Sequence, residues 1–308
     1  MLSFDNTQWT DYESFDKEKQ RCEKIYYSLE IVKVPARMFM FIFNIIKRIC
    51  WEVYLLFTRL PPNQAWMDPR EQALMVKYIQ EYKNENSKRP ISMVEYGAGS
   101  STFFFSTYVD QYISIEHSPD YCRELERMAA SQPHRSVKIF YMGRNSFGFY
   151  IKRTYEQNSS SQSQSSSQIE IYCVPRNAYS LTAYRLWATG GRSTYRMYRD
   201  YVDFLSVYFR ERKFDFVFID GRARPQVAYA ILKQLNGSHA KLFIHDWNQR
   251  KEYHIVEQEF YNIVDQQIES NQVGGGGLVV LEKKSEHIGE RNINDIQWQH
   301  GSEPAWWI

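Results

Sequence analysis

The stretch Ile91–Ser106, ISMVEYGAGSSTFFFS, decides the fold. It contains an apolar strand, a glycine turn at Gly97 and Gly99, and a helix start rich in small hydroxyl residues. Such glycines permit a tight turn and let the backbone approach a ligand closely. A GxG pair alone is a weak signal, because glycines often do no more than make a turn. The strands that follow decide its meaning.

The next strand, Tyr112–Glu116, ends in an acid, and Ser118 and Pro119 then begin a helix as N-cap and first-turn residue. Glu116 stands 19 residues after Gly97. A carboxylate at this strand end is placed to accept hydrogen bonds from the ribose hydroxyls of an adenosine-containing cofactor. The alternative is an ordinary surface acid.

Two later strands also end in polar residues. The apolar run from Lys213 ends at Asp220, and Lys241–Ile244 is followed by His245 and Asp246. Strands alternate with helices, and a final hairpin is predicted with its turn at 274–277 and its last strand at 278–284. The pattern predicts an α/β fold with a doubly wound, Rossmann-like, mostly parallel sheet and a C-terminal antiparallel hairpin.

Ligands of such sheets bind outside the carboxyl ends of the strands, at the point where the strand order reverses. The sequence places five chemically apt residues at that edge. They are Glu95, Gly97, Glu116, Asp220 and Asp246.

The chain divides into an N-terminal helical extension, a domain and a tail. The predicted boundaries are 1–67, 68–284 and 285–308, with a flexible insertion near 151–170 that contains NSSSQSQSSSQ. The domain begins with a helix, because Asp68, Pro69 and Glu71 supply an N-cap, a first-turn proline and a capping-box acid.

Residues 38–57, MFMFIFNIIKRICWEVYLLF, are predicted to form an apolar helix in the N-terminal extension. Lys47, Arg48 and Glu52 would each cost about 2.5 to 3.5 kcal/mol near a bilayer centre, which disfavours spanning. Packing on the domain, lying in a membrane surface and acting as a signal anchor stay open. The compartment, cytoplasmic or membrane-associated, is open as well.

Charge and cysteine usage exclude several classes of protein. Thirty-eight basic and 36 acidic residues give a net charge of +2 without a basic tract, so no nucleic-acid partner is expected. The four cysteines show no zinc spacing and no disulfide framework, and we expect reduced thiols. Asn158 and Asn236 begin N-x-S sequons, which matter only in the secretory pathway.

Four segments together resemble class I S-adenosylmethionine-dependent methyltransferases, especially the small-molecule and sugar O-methyltransferase-like branch. The segments are VEYGAGSST, SIEH, FIDGRARP and LFIHDW, within Asp68–Lys284. The resemblance implies S-adenosylmethionine as cofactor, held by Glu95, Gly97, Gly99, Ser101, Glu116 and Asp220.

By the same resemblance, Asp220, Asp246 and Asn248 are the candidate ligands of Mg²⁺, which would lower the pKa of a substrate hydroxyl. Trp247 separates the acid from Asn248, which departs from the catechol-type enzymes. The catalytic candidates are Asp246 or His245 as the proton acceptor and Arg222, with Arg224 beside it, to orient a negative group.

The predicted function is therefore O-methylation of a small-molecule or glycan-like acceptor. One rival is an NAD-dependent oxidoreductase, although Thr102 stands about where GxGxxG has its third glycine and the pattern fits poorly. The other rival is a catalytically inactive scaffold with a methyltransferase-like fold, held at a membrane surface by 38–57.

Overall fold

The computed structural model describes residues 65, 67–86, 88–145, 148–159, 168–177, 195–248, 250–268 and 276–284. All of them belong to one compact unit of the chain. The predicted apolar helix 38–57 and the tail 285–308 lie outside the described residues. Within the described part, no helix is both long and apolar enough to cross a membrane.

Helices and strands alternate as the sequence predicts, except that three strands follow one another between residues 137 and 173 and two form the C-terminal hairpin. In order they are α1 (Pro69–Glu85), β1 (Ser92–Tyr96), α2 (Ser100–Phe105), β2 (Gln111–Glu116), α3 (Pro119–Ala130), β3 (Val137–Asn145), β4 (Gly148–Gln157), β5 (Gln168–Cys173), α4 (Tyr195–Tyr208), β6 (Phe216–Ile219), α5 (Arg224–Ala230), β7 (Lys241–His245), α6 (Ile255–Glu259), β8 (Tyr261–Gln267) and β9 (Leu278–Lys283). Short 3-10 turns at Ile231–Lys233 and Lys251–His254 extend α5 and precede α6.

The nine strands of the described residues form one sheet in the order β4-β3-β5-β2-β1-β6-β7-β9-β8. Strands β3, β5, β2, β1, β6 and β7 are parallel to their neighbours in that series. The chain winds outward from β1 in one direction through β2 and β5 and in the other through β6 and β7. The strand order therefore reverses between β1 and β6, where a Rossmann-like sheet places its ligand.

Antiparallel hairpins close both edges of the sheet. The predicted C-terminal hairpin is confirmed, since β9 pairs antiparallel with β8 and also with β7. The β3–β4 hairpin at the other edge is not predicted by the sequence. Residues 151–157 of the predicted flexible insertion belong to β4, and 160–167 lie outside the described residues.

Helix α1 begins where the sequence places it. The side chain of Asp68 accepts a hydrogen bond from the backbone N–H of Arg70, and the Glu71 carboxylate accepts one from the N–H of Asp68. Pro69 occupies the first helical turn. Backbone N–H groups there have no acceptor within the helix, so a proline costs no hydrogen bond.

Both faces of the central strands are covered. All four residues of β6 are buried, as are the last four of β1 and of β7. Continuous burial of this kind requires helices or loops on each side of a parallel sheet. One apolar cluster joins α1 to β1, β6, β7 and β9, and a second joins α3 to β3 and β5.

The expectation of reduced cysteines is wrong for two of the four. Cys122 in α3 and Cys173 at the end of β5 form a disulfide. They are 51 residues apart and carry no motif, so only the packing of α3 on β5 brings them together. Cys22 and Cys50 lie outside the described residues.

Candidate functional site

The glycine turn after β1 lies directly against the loop after β6. Gly97 has φ +100°, a conformation that side chains disfavour, and a Cβ at this position would approach the backbone N of Gly221 to 2.5 Å. The turn therefore needs glycine both for its dihedral angle and for its contact with the β6 loop. Gly99, next in the motif, precedes the first residue of α2.

Glu95, predicted to line the cofactor, is fully buried beneath this turn. Hydroxyl groups donate hydrogen bonds to its two carboxylate oxygens at 2.5 to 3.1 Å, from Ser101, Thr102, Ser114 and Tyr112. Burial raises the pKa of Glu95 to about 7, although the hydrogen bonds from the hydroxyl groups of Ser101, Thr102 and Ser114 lower it. Glu95 and Ser101 thus fix the turn and α2 to the sheet from inside.

Glu116 lies at the carboxyl end of β2, as predicted, and is 4% exposed. Its Oε1 accepts the backbone N–H of Ser118 at 2.7 Å and lies 3.2 Å from Nδ1 of His117. Burial raises the pKa of Glu116 to about 8, although the N–H groups of Ser118 and His117 favour the ionised form. The carboxylate is held in one orientation at the strand tip.

Three aromatic residues that sequence reasoning missed surround Glu116 and the glycines. The Tyr121 hydroxyl lies near Gly99, since a Cβ added to this glycine would be 3.6 Å from Tyr121 Oη. The rings of His117 and Tyr201 meet edge to face with centroids 5.5 Å apart. Burial, together with the charges of nearby arginines, lowers the pKa of His117 to about 3, so its imidazole is neutral.

The ends of β6 and β7 carry a charge cluster that reaches back to α1. His245 is buried, with Nδ1 2.9 Å from Asp220 Oδ1 and Nε2 3.2 Å from Glu71 Oε2. The other oxygen of Glu71 accepts the backbone N–H of Gly277 at 2.6 Å. Glu71 therefore serves as capping-box acid of α1, partner of His245 and anchor of the segment before β9.

Arg224 completes this cluster. Its guanidinium donates to Asp246 at 2.9 Å and to the carbonyl oxygens of Gly221, His245 and Asp220. Asp246 itself adopts φ +57°, and its second oxygen accepts the N–H of Gly276 at 3.1 Å. A non-glycine residue held in this strained region of backbone space is typical of functional sites.

The charge cluster decides what its members can do chemically. Burial would lower the pKa of His245, but the carboxylates of Asp220 and Glu71 raise it to about 10. The imidazole is therefore protonated at neutral pH, and both nitrogens donate. Burial would raise the pKa of Asp246, but Arg224 and His245 lower it to about 2. Neither residue is a strong proton acceptor at neutral pH.

The predicted metal ligands do not form a ready Mg²⁺ site. Asp220, His245 and Asp246 offer atoms that lie within 4.8 Å of one another. The protonated His245 and the Arg224 guanidinium already neutralise the two carboxylates. Asn248, the third predicted ligand, is exposed and its amide donates to the carbonyl oxygen of Ile268. A cation would have to displace the positive charges of His245 and Arg224, so the arrangement does not support the binding of Mg²⁺.

Accessibility separates the remaining candidates. Asp220 is the most open acid of the cluster, with 28% of its side chain exposed against 18% for Asp246 and none for Glu71. Arg222 is exposed and lies near enough to Glu116 and His117 for its charge to lower both pKa values. A ligand at this edge therefore meets Asp220 and Arg222 first.

No protein-family model matches the chain, and no curated protein matches its sequence. Among solved structures it is similar to a methyltransferase-like protein of Silicibacter pomeroyi, at 18% identity and a TM-score of 0.42 over 71% of this chain and 89% of that one.

Two other solved structures are less similar. The N-methyltransferase NodS of Bradyrhizobium japonicum has 10% identity and a TM-score of 0.35 over 70% of this chain and 98% of that one. The fibrillarin pre-rRNA processing protein of Methanococcus jannaschii has 16% identity and a TM-score of 0.35 over 65% and 69%. Such low identities and scores assign no function to the chain.

Proposed function

We propose that the chain binds S-adenosylmethionine at the carboxyl ends of β1, β2 and β6 and transfers its methyl group to an oxygen of a small-molecule or glycan-like acceptor. One observation carries the proposal. A left-handed glycine turn at Gly97 stands at the reversal of strand order, with the Glu116 carboxylate at the neighbouring strand tip. This is where a Rossmann-like sheet holds the adenosine part of its ligand.

Each part of the cofactor has a suitable partner. The ribose hydroxyls would donate to Glu116, and the positively charged methionine part would lie on the outer side of the glycine turn and face the Asp220 carboxylate. Glu95 and Ser101, given as direct ligands by the resemblance, would act by fixing the turn. The cofactor supplies a methyl group on a positively charged sulfur that a nucleophile can displace.

A contact at the glycine turn favours this cofactor over NAD. The N–H of Gly99 donates to the Thr102 hydroxyl at 3.0 Å, so it is not free to bind a pyrophosphate. Asp220, the most exposed acid of the β6–β7 cluster, would face the sulfonium ion, and at the same place it would repel a phosphate.

The chemistry rests on positioning. The pKa values of His245 and Asp246 leave both poor bases at neutral pH, so alignment of the acceptor oxygen with the methyl group would supply much of the rate. The protonated His245 and Arg224 would hold Asp220 and the backbone of the β6 and β7 loops in place. Arg222 is the exposed charge that would orient an acidic acceptor.

The test is a calorimetric titration of the purified chain with S-adenosylmethionine and, separately, with NAD. At a pH above 8, where Glu116 is ionised, we expect micromolar binding of the first alone, weakened about tenfold or more by Glu116→Gln, which removes the charge and keeps the shape. Glu170→Gln, on the middle of β5, is the matched control and should bind as the parent chain does.

Binding of neither cofactor by folded protein would refute the proposal and favour the scaffold. Binding of NAD instead would favour the oxidoreductase. Once binding is established, transfer of a labelled methyl group to a panel of hydroxyl and carboxylate acceptors, with and without Mg²⁺, tests the reaction itself.

A further inference from the structure

The Cys122–Cys173 disulfide indicates the redox conditions in which the chain folds. Cys122 is fully buried and Cys173 is 3% exposed, so the bond lies within the core between α3 and β5. Disulfides form and persist in oxidising compartments and are rare in the cytosol, where thiols are kept reduced. A buried structural disulfide therefore favours folding in the secretory pathway.

A second, independent feature fits the same compartment. Asn158, Ser159 and Ser160 form a glycosylation sequon, and the side chain of Asn158 is exposed. Asn158 directly follows β4, which is the last strand at one edge of the sheet. An acceptor asparagine of this kind belongs on an exposed surface, because the glycan it carries is bulky.

Asn158 also lies far from the candidate site. Gln157 pairs with Val137, the first residue of β3, and β3 runs parallel to β5 and β2. Asn158 thus stands at the amino-terminal edge of the parallel strands, and Glu116 and Asp220 stand at the carboxyl-terminal edge. A glycan at Asn158 would leave the site open.

The other sequon, at Asn236, differs in its contacts. The Asn236 side-chain amide donates to the buried carboxylate of Asp215 at 2.7 Å. The same carboxylate accepts Tyr82 Oη at 2.8 Å and the N–H of Ser92 at 2.9 Å. A glycan on Asn236 would replace one hydrogen of the nitrogen that makes this contact and would have to fit beside the buried Asp215, so we expect Asn158 to be the modified residue.

We propose that the chain folds in the secretory pathway and carries an N-linked glycan on Asn158. The Nδ2 atom loses one proton and bonds to the anomeric carbon of a lipid-pyrophosphate-linked oligosaccharide, whose lipid pyrophosphate leaves. The thiols of Cys122 and Cys173 lose two protons and two electrons to the disulfide of an oxidoreductase, which becomes a dithiol. Entry requires a targeting segment, for which the apolar stretch 38–57 is the candidate in the sequence.

The test uses the full 308-residue chain expressed in cultured animal cells, compared with Asn158→Gln and Asn236→Gln. Each protein is treated with peptide N-glycosidase and examined by gel mobility and peptide mass spectrometry. We expect an enzyme-sensitive mobility shift in the parent chain and in Asn236→Gln, and its complete loss in Asn158→Gln. Non-reducing digestion should yield the peptides of Cys122 and Cys173 linked together.

Absence of an enzyme-sensitive shift in the parent chain would overturn the proposal, as would a shift that only Asn236→Gln removes. Recovery of the two cysteines as free thiols from cells lysed in an alkylating agent would overturn the assigned compartment. Asn158 is an exposed side chain, so its replacement should leave folding intact. None of these outcomes depends on cofactor binding. The test of this proposal is therefore independent of the test of the methyltransferase assignment.

Discussion

Replacing both bonded cysteines, as Cys122→Ala with Cys173→Ala, tests how far the domain depends on its disulfide. The bond closes a loop of 51 residues. The chain-entropy relation, −2.1 − 1.5R ln n cal/mol/K, gives about 4 kcal/mol at 25 °C for a loop of this length. We therefore expect the free energy of unfolding to fall by about 2 to 4 kcal/mol, since strain and residual structure reduce the ideal value. At about 2 to 4 °C per kcal/mol for a domain of this size, Tm should fall by roughly 4 to 16 °C.

Equilibrium unfolding in urea measures this directly. The parent chain should lose the same free energy when dithiothreitol is added, whereas the double variant should be insensitive to the reductant. The urea dependence should also become steeper without the bond, because the unfolded chain then exposes more surface. A parent chain whose stability did not change on addition of dithiothreitol would refute the reasoning, since it would mean that the two thiols are not bonded.

Three further changes test the site. Gly97→Ala should abolish cofactor binding and destabilise the chain by several kcal/mol, because it adds a backbone clash to a left-handed φ. Gly237→Ala, also left-handed but with open space around it, should cost only about 1 kcal/mol. Affinity for S-adenosylmethionine should rise as the pH increases through about 8, because the Glu116 carboxylate ionises there, and Glu116→Gln should remove that dependence. His245→Gln should cost about 3 to 5 kcal/mol, because it leaves buried carboxylates without their cation.

The controls follow from the same contacts. His239→Gln changes an exposed histidine and should leave stability unaltered.

The pKa of His245 is raised to about 10. The contribution of His245 to the free energy of unfolding should therefore be full below the ordinary histidine pKa of 6.5 and be lost as the pH rises through about 10. A cost of His245→Gln that did not change over this range would contradict a protonated His245. Binding unaffected by Gly97→Ala would contradict the placement of the cofactor.

Local signals in the sequence predicted most of what the structure contains. The capping box at Asp68 and Glu71 and the glycine turn at Gly97 depend on neighbours in the chain, so their residue types suffice. The alternation of strands and helices predicted the order of elements from α1 to α3 and from β6 to β9, but not the strands between them. The β3–β4 hairpin was missed because β4 lies at the sheet edge with most side chains exposed, and no buried face marks it.

The site was predicted less well because its roles depend on distant contacts. Glu95 and Glu116 look alike in sequence, yet one is enclosed by hydroxyl groups and the other stands at a strand tip. His245 appeared to be a base, but its protonation is set by the carboxylates of Asp220 and of Glu71, the second of which lies 174 residues earlier in the chain. Pairing of Cys122 with Cys173 likewise depends on packing that spacing does not reveal.

The contacts of Glu71 also bear on the order in which the domain can assemble during synthesis. Its carboxylate binds the N–H of Gly277, 206 residues later, so α1 reaches its final environment only when nearly the whole domain has left the ribosome. Until then a buried acid and the apolar face of α1 lack their partners. Domains closed by such distant contacts fold late and slowly. A nascent chain that ends before β9 would therefore be a client for chaperones rather than a smaller folded protein.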